Sequence, residues 1–381
     1  MKFVLALIVF ASFLCLGLAV APAIERRARA RELGIVIGQM PPGPLNAITD
    51  VSGVLVGHRT LIEGDNVRTG VTVVLPHGGN LFQEKVPAGV FAANGFGKMA
   101  GFTQIDEIGA IESPIALTNT LSIHAAMEGI IRHTLAQPGN SSAPSINAVA
   151  GECNDGQLSE IQGLHVTANH VIDAIRAAKD GPVAEGCVGG GTGTRALGFK
   201  AGIGTSSRVV AKRFGAYTVG VLVQANFGGN LTLAGVPVGA ELKKRHSAVL
   251  DDTDVEAGSC MIVVATDAPL DATSLRRLAT RAMLGFGRAG GISTHGSGDY
   301  VIAFSTAPSL RIRHGATRTG GVVVANDHLT PLFAAVAEAT EEAIINSIFM
   351  ATDMTGRDGR TVRALPVERT LEILRTWRAL K

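Results

Sequence analysis

A chain of 381 residues with 46% hydrophobic side chains can bury a large core, and 47 glycines against only 17% charged residues suggest tight turns around a buried sheet. The 34 basic and 32 acidic residues leave a net charge of +2 and are interspersed apart from one basic cluster near the N-terminus. With 2 Tyr, 1 Trp and no basic-aromatic patch, a nucleic-acid surface is excluded.

The first residues read as a targeting segment. Lys2 precedes an uncharged apolar run over residues 3–18, then small residues at Ala19, Ala21 and Ala23. That pattern predicts a secretory signal over residues 1–23, cleaved after Ala23 or Ala21, and a periplasmic or secreted product. The competing reading is an uncleaved membrane anchor. The uncharged run extends to Ile24, and Arg26, Arg27, Arg29 and Arg31 beyond it disfavour translocation. Cys15 lacks a lipoprotein context, because Leu14 stands where a small residue is expected. No repeat, low-complexity tract or Pro/Ser-rich linker follows, so residues 24–381 read as a single domain.

Pro41-Pro42-Gly43-Pro44 is a rigid turn, and strands are expected over residues 51–58 and 71–75. His58 and His77 read as structural or exposed, since neither has a carboxylate at ligand spacing. Asp106-Glu107 are adjacent carboxylates of a solvated surface. A short strand at 115–117 precedes an amphipathic helix over 122–136, whose spacing comes from Met127, Ile130, Ile131 and Leu135. Another strand, 148–150, runs into Gly151-Glu152-Cys153-Asn154-Asp155-Gly156. Polar residues at a strand end suit the rim of a site, although residues 154–156 also read as a plain turn.

A helix is expected over 168–179. Gly191, Gly193 and Ala196 then mimic a dinucleotide fingerprint, but the preceding strand and the downstream acid are missing. The glycines read instead as backbone packed close to a site. The strand over 217–225 delivers Asn226 at its end, where a side-chain amide can donate to a developing oxyanion or cap a turn.

A charged, turn-like segment over 241–256 ends at Ala257-Gly258. Ser259 follows, and an apolar strand over 261–265 starts directly after it. A cut between Gly258 and Ser259 would give Ser259 a free α-amine, which titrates near neutral pH and can take the hydroxyl proton. The plain alternative is a loop entering a core strand. Cys260 should point away from Ser259 by strand alternation. Helices are expected over 271–285, 328–350 and 367–380, with Asn346 and Ser347 as packing residues. A loop over 293–299, before a strand at 300–304, carries Ser297 and Asp299 two residues apart. Beyond the leader, Cys153, Cys187 and Cys260 form no zinc pattern and read as buried free thiols, with one disulfide possible.

Several segments recur together in one order. They are Gly43-Pro44-Leu45-Asn46-Ala47-Ile48-Thr49-Asp50-Val51, Val67-Arg68-Thr69-Gly70-Val71-Thr72-Val73, Pro114-Ile115-Ala116-Leu117-Thr118-Asn119-Thr120 and Val188-Gly189-Gly190-Gly191-Thr192-Gly193. Gln224-Ala225-Asn226-Phe227-Gly228, the Gly258-Ser259 junction and Gly296-Ser297-Gly298-Asp299 complete the series. With them the chain resembles the L-aminopeptidase/D-amidase-esterase family, which includes the β-aminopeptidases, over nearly its whole length after residue 30.

The resemblance implies an α/β fold, a four-layer α-β-β-α sandwich similar to N-terminal-nucleophile hydrolases but with different connectivity. It implies self-cleavage into residues 24–258 and 259–381, which stay together, and a Ser259 nucleophile that releases N-terminal amino acids from peptides, amides or esters. Ser297 and Asp299 would assist the Ser259 amine, Asn226 would stabilise the oxyanion, and Glu152 would hold the substrate's free amino group. Several relatives carry Tyr at the position of Asn154 and Glu at that of Asp299, so this chain departs from the pattern at both. No metal or cofactor is implied, and association into a homo-oligomer is. Rival readings are an acyltransferase of the N-acetyl-ornithine type, which uses threonine at the junction, and a non-catalytic envelope protein that kept the fold.

Overall fold

The computed structural model describes residues 27–245 and 257–380. The expected leader and both of its cleavage points lie outside these residues, as does most of the charged segment 241–256.

In chain order the strands are β1 (Leu55–Glu63), β2 (Val67–Leu75), β3 (Glu84–Gly95), β4 (Met99–Ala100), β5 (Ala110–Ile111), β6 (Ile115–Asn119) and β7 (Val149–Cys153). They continue with β8 (Arg195–Ala196), β9 (Phe199–Lys200), β10 (Ile203–Val209), β11 (Thr218–Asn226), β12 (Ala257–Thr266), β13 (Gly296–Ser305) and β14 (Ile312–Arg313). The helices are α1 (Phe102–Ile108), α2 (Ile123–Leu135), α3 (Ala168–Arg176), α4 (Val238–Arg245), α5 (Ala272–Ala289), α6 (Thr330–Phe349) and α7 (Val367–Thr376).

The strands form a five-stranded sheet in the order β1-β2-β6-β7-β4 and a seven-stranded sheet in the order β10-β11-β12-β13-β3-β14, with β5 also on β3, while β8 and β9 pair only with each other. The buried apolar residues divide into separate clusters that reveal the layering. In β12, Met261, Val263 and Ala265 join Val74, Leu117 and Val149 of the other sheet. Cys260, Ile262 and Val264 join Leu275, Leu278, Ala335 and Val336 of α5 and α6. On the outer face of the smaller sheet, Val71, Val73 and Ala116 pack on Ala126, Ile130, Val171 and Ala174 of α2 and α3. The order is therefore helix, sheet, sheet, helix, the sandwich that the resemblance implies. A strand covered on both faces must be apolar at every position, which is why β12 reads as an unbroken run rather than an alternation.

The basic cluster near the N-terminus is an internal anchor. Arg29 pairs with Glu185 at 2.8 Å and donates to the carbonyls of Leu45, Asn46 and Thr205. Arg31 pairs with Glu342 of α6 at 2.8 Å. Glu342 also receives the fully buried Arg208 at 2.6 Å, and Glu338 receives it at 3.1 Å. Asn346 accepts from the Ala30 amide and donates to Thr205, the packing role expected of it.

The structure corrects several expected boundaries. Residues 51–54 form a turn, and the first strand begins at Leu55. The twelve-residue β3 and the seven-residue β10 were not expected at all. Ser297 and Asp299 lie within β13 rather than in a loop before it. His58 is tied to Thr72 at 2.9 Å, and His77 to the Glu84 carbonyl at 2.8 Å, so both are structural. Cys153, Cys187 and Cys260 are free thiols, and of these Cys153 and Cys260 are buried. Asp106 of α1 pairs with Arg276 at 3.4 Å on the surface.

Candidate active site

A cavity of about 430 Å³ opens at the end of the sandwich where β11, β12 and β13 meet the tip of β7. Gly258, Ser259, Asn226, Glu152 and Asn154 all line it.

Ser259 is the third residue of β12 and only 4% exposed. In the antiparallel register with β11 it stands opposite Asn226. Cross-strand partners share a face, so both side chains project on the side of the sheet that faces the smaller sheet. The Ser259 hydroxyl donates to the Gly258 carbonyl oxygen at 2.6 Å. Glycine is required at residue 258, because a Cβ there would sit 2.7 Å from the Phe227 Cα. The Asn226 Oδ1 accepts the Arg195 amide at 3.2 Å. That bond fixes the side-chain amide and leaves its NH₂ group as the donor. Cys260 points into the helix-side core, away from Ser259, as alternation predicts.

Ser297 and Asp299 stand on the neighbouring strand, behind the cavity rather than in its wall. In the parallel register Gly258 pairs with Ser297, and Cys260 with Asp299. Both therefore occupy the helix-side face of the sheet, opposite the Ser259 side chain and alongside the Gly258–Ser259 peptide. The Ser297 hydroxyl donates to Asp299 Oδ1 at 2.8 Å, and Asp299 is fully buried. Burial pushes the Asp299 carboxyl above the usual range, while bonds from Ser297, Ser293 and the Cys260 amide pull it back.

Glu152 is the fourth of the five residues of β7 and is almost fully buried. Its Oε1 accepts the Lys98 amide at 3.0 Å and lies 3.8 Å from the Lys98 ammonium. The Thr120 hydroxyl donates to its Oε2. Each carboxylate oxygen is thus held by a fixed donor, and the group faces a cavity that can admit a cation. Asn154 does two things: it lines the cavity, and its Oδ1 accepts the Gly156 amide at 2.9 Å, closing the turn expected there. Behind it Asp155 is buried, and burial pushes its carboxyl up to about 7. The glycine run 189–193 packs tightly beside the cavity, with Gly193 in its wall.

Sequence reasoning missed Lys98, Thr120, Arg195, Phe227 and Lys243, all of which line the cavity. Thr120 and Phe227 lie within segments that carried the resemblance, 114–120 and 224–228. The others sit on loops and short elements whose only signal is their position in the folded chain. Among the described residues, no group of three or more His, Cys, Asp or Glu side chains is placed to hold a metal ion.

The arrangement offers a hydroxyl able to act as a nucleophile, an amide donor beside it and an acid able to hold a cation nearby. These are the parts of an acyl transfer that starts from a substrate with a free amine.

Comparison with known proteins agrees with this chemistry. The profile of Peptidase family S58 matches residues 46–362. The beta-peptidyl aminopeptidase BapA of Sphingosinicella microcystinivorans is 41% identical over 374 residues, covering 92% of this chain and 93% of that protein. A solved beta-aminopeptidase from a Burkholderia species superposes with a TM-score of 0.84 at 42% identity, covering 92% of this chain and 99% of the other. The L-aminopeptidase D-Ala-esterase/amidase of Ochrobactrum anthropi, described as a variant of the Ntn-hydrolase fold, gives 0.85 at 37% identity, covering 93% and 99%.

Proposed function

This chain belongs to peptidase family S58 and is a serine-type aminopeptidase, and from that premise we propose that it matures by cutting its own Gly258–Ser259 bond and then works through the new N-terminus. The observation that carries the proposal is the Ser259 hydroxyl held 2.6 Å from the Gly258 carbonyl oxygen, within a strand whose neighbour presents Ser297 and Asp299 beside that peptide. The Ser259 Oγ adds to the Gly258 carbonyl carbon, the C–N bond breaks, and the freed amine keeps the hydroxyl proton. Water then cleaves the resulting ester, leaving a Gly258 carboxylate and restoring the hydroxyl.

In turnover the Ser259 amine takes the proton of its own hydroxyl as Oγ attacks the substrate carbonyl. Asn226 donates to the oxyanion, and Glu152 holds the substrate ammonium. Ser297, bonded to Asp299, orients the amine from the far side of the sheet. The proton passes to the leaving amine, and water releases the N-terminal amino acid from the acyl-enzyme. The comparisons do not favour an acyltransferase or a catalytically silent protein. The substrates are short peptides, amides or esters with a free amine, β-peptides among them in view of the named relatives.

Two further expectations belong to this reading. Residues 1–23 act as a cleaved leader to the periplasm or outside; Arg27, Arg29 and Arg31 are residues of the folded body, which supports their lying beyond the leader. The chain associates into a homo-oligomer, supported by an open apolar groove of Ala92, Phe102, Ile123 and Met127 and read out by sedimentation.

The deciding experiment is the intact mass of the denatured protein, wild type beside Ser259→Ala. Fragments meeting at Gly258/Ser259 in the wild type and a single chain in the variant are expected. An uncut wild type would remove the N-terminal nucleophile and the mechanism with it.

A further inference from the structure

The turn between β3 and β4 forms the flank of the cavity that holds Glu152, and β13 shapes that turn. Gly298 pairs with Gly95 and Asp299 with Asn94, but Tyr300 pairs with Ala92, so Ala93 is an extra residue on β3. A bulge of this kind bends the end of a strand. Residues 95–98 lie close over β13: a Cβ on Gly97 would be 2.8 Å from the Gly298 Cα, and one on Gly298 would be 3.3 Å from the Ser259 Oγ. The Phe96 amide donates to the Ser297 carbonyl at 3.2 Å, and the Asn94 side chain donates to the carbonyls of His295 and Ser297. Tyr300 adds a further tie. Its hydroxyl lies 3.1 Å from the Gly97 carbonyl oxygen and 3.3 Å from that of Gly95, and donates its one proton to this pair. Its ring is buried and edge-on to Phe102 of α1, with centroids 6.0 Å apart.

The Gly97 carbonyl and the Lys98 amide are the two ends of one planar trans peptide group. Tyr300 holds its oxygen end at 3.1 Å, and Glu152 Oε1 holds its N–H end at 3.0 Å. The plane cannot turn without straining both bonds. A donor on the oxygen also polarises the group and makes the N–H a stronger donor on the other side. Burial and the negative charge of Glu152 push the phenol above its ordinary value, against the pull of the bond to Gly97, so it keeps its proton throughout the neutral range. We propose that Tyr300 is a positioning residue of the ammonium site: through the Gly97–Lys98 peptide it fixes the Glu152 carboxylate in the orientation that receives the substrate's free amine. The proposal rests on the reading given above, in which Glu152 holds that amine. Tyr300 does not line the cavity, so it acts in series, from hydroxyl to peptide to carboxylate to substrate.

The test is a double-mutant cycle on the processed enzyme, with Tyr300→Phe, Glu152→Gln and both together. It reads the ratio of kcat/KM for one free-amine peptide to that for its N-acetylated counterpart, which cancels general losses of folding or maturation. Tyr300→Phe keeps the ring against Phe102 and removes only the hydroxyl. KM for the free amine should rise about threefold to tenfold with kcat changed by less than about twofold, and the ratio should fall by the same factor as KM rises. In the Glu152→Gln background the same change should move the ratio by less than about twofold, because the two residues act in series. An unmoved ratio in Tyr300→Phe, or an equal fall in both backgrounds, overturns the positioning role. If Glu152→Gln alone leaves the ratio unchanged, it is the reading of Glu152 that fails. Hydrogen exchange at the Lys98 amide then judges Tyr300 by itself, in the uncut Ser259→Ala chain, which needs no turnover. Adding Tyr300→Phe should speed that exchange about threefold to tenfold while β13 exchanges as before, and an unchanged rate at Lys98 overturns the tie.

Discussion

Ser259 and Asn226 face each other across adjacent antiparallel strands, so the hydroxyl proposed as nucleophile and the amide proposed as its donor are set by one register rather than by two loops. A single-residue slip would turn one of them to the other face of the sheet.

The register argument makes Asn226→Asp an informative change. The aspartate keeps an acceptor for the Arg195 amide but loses the NH₂ donor. Turnover should fall by about a hundredfold to a thousandfold in kcat, with little change in KM. Steady-state kinetics of the processed enzyme read this directly, and a pure KM effect would deny the oxyanion role.

Glu152→Gln should act on recognition. It removes the negative charge held by the Lys98 amide and the Thr120 hydroxyl while keeping the shape. Discrimination between a free-amine substrate and its N-acetylated counterpart should shrink by about tenfold to a hundredfold. Thr120→Val, which removes a supporting donor but not the charge, should move the same ratio less. Equal ratios in all of these proteins would show that the amine is read elsewhere.

Stability should fall on mild acidification because of His58. Burial lowers its pKa from 6.5 to about 4 in the folded chain. The unfolded chain therefore binds more protons below pH 6.5, and the native state loses stability as pH falls from there toward 4. The loss attributable to this residue reaches about 3 kcal/mol. Asp155 works in the opposite sense. Its carboxyl is raised from 3.8 to about 7, so it favours the native state most at low pH and loses that contribution as pH rises through 7. Urea midpoints across this range should show a shallower acid limb in His58→Gln. Asp155→Asn should gain on wild type as pH rises. Parallel curves for all three proteins would contradict both assignments.

The buried ion cluster carries a larger cost. Arg208→Ala leaves Glu338 and Glu342 without the guanidinium that neutralises them, and Glu342 has no exposed side-chain surface. A loss of about 3–5 kcal/mol is expected in chemical denaturation. A loss below about 1 kcal/mol would mean that Arg31 alone suffices for Glu342.

The sequence and the fold part company for identifiable reasons. β11 and the body of β12 are legible because a strand buried on both faces must be apolar throughout. β10 is not, because Thr205, Ser206, Ser207 and Arg208 are polar yet buried. Their partners are remote: Ser206 donates to Ala339, Ser207 to Asp50, and Arg208 pairs with α6. Locally such a run looks like a loop. β3 is hidden by Pro87 and Gly89, and the glycine is there because a Cβ would meet the Arg276 backbone at 2.3 Å. Gly298 disguises the start of β13 similarly, since a Cβ there would lie 2.6 Å from the Gly97 Cα. Within the cavity, Ser259, Asn226 and Glu152 were named through resemblance. Lys98, Arg195 and Lys243 come together only when strands far apart in sequence close the sandwich.

The junction lies inside a sheet, with β11 on one side of it and β13 on the other. On the maturation proposed above, the precursor folds as one molecule, and the cut severs a strand that is already locked in place. Assembly before the cut is unimolecular; after it, recovery from unfolding is bimolecular, since each fragment must find the other at whatever dilution prevails. The mature enzyme would then be guarded by the slowness of its unfolding rather than by its ability to refold. A denatured and diluted sample should regain less activity than the uncut Ser259→Ala chain regains native structure, and the shortfall should deepen as the protein concentration is lowered.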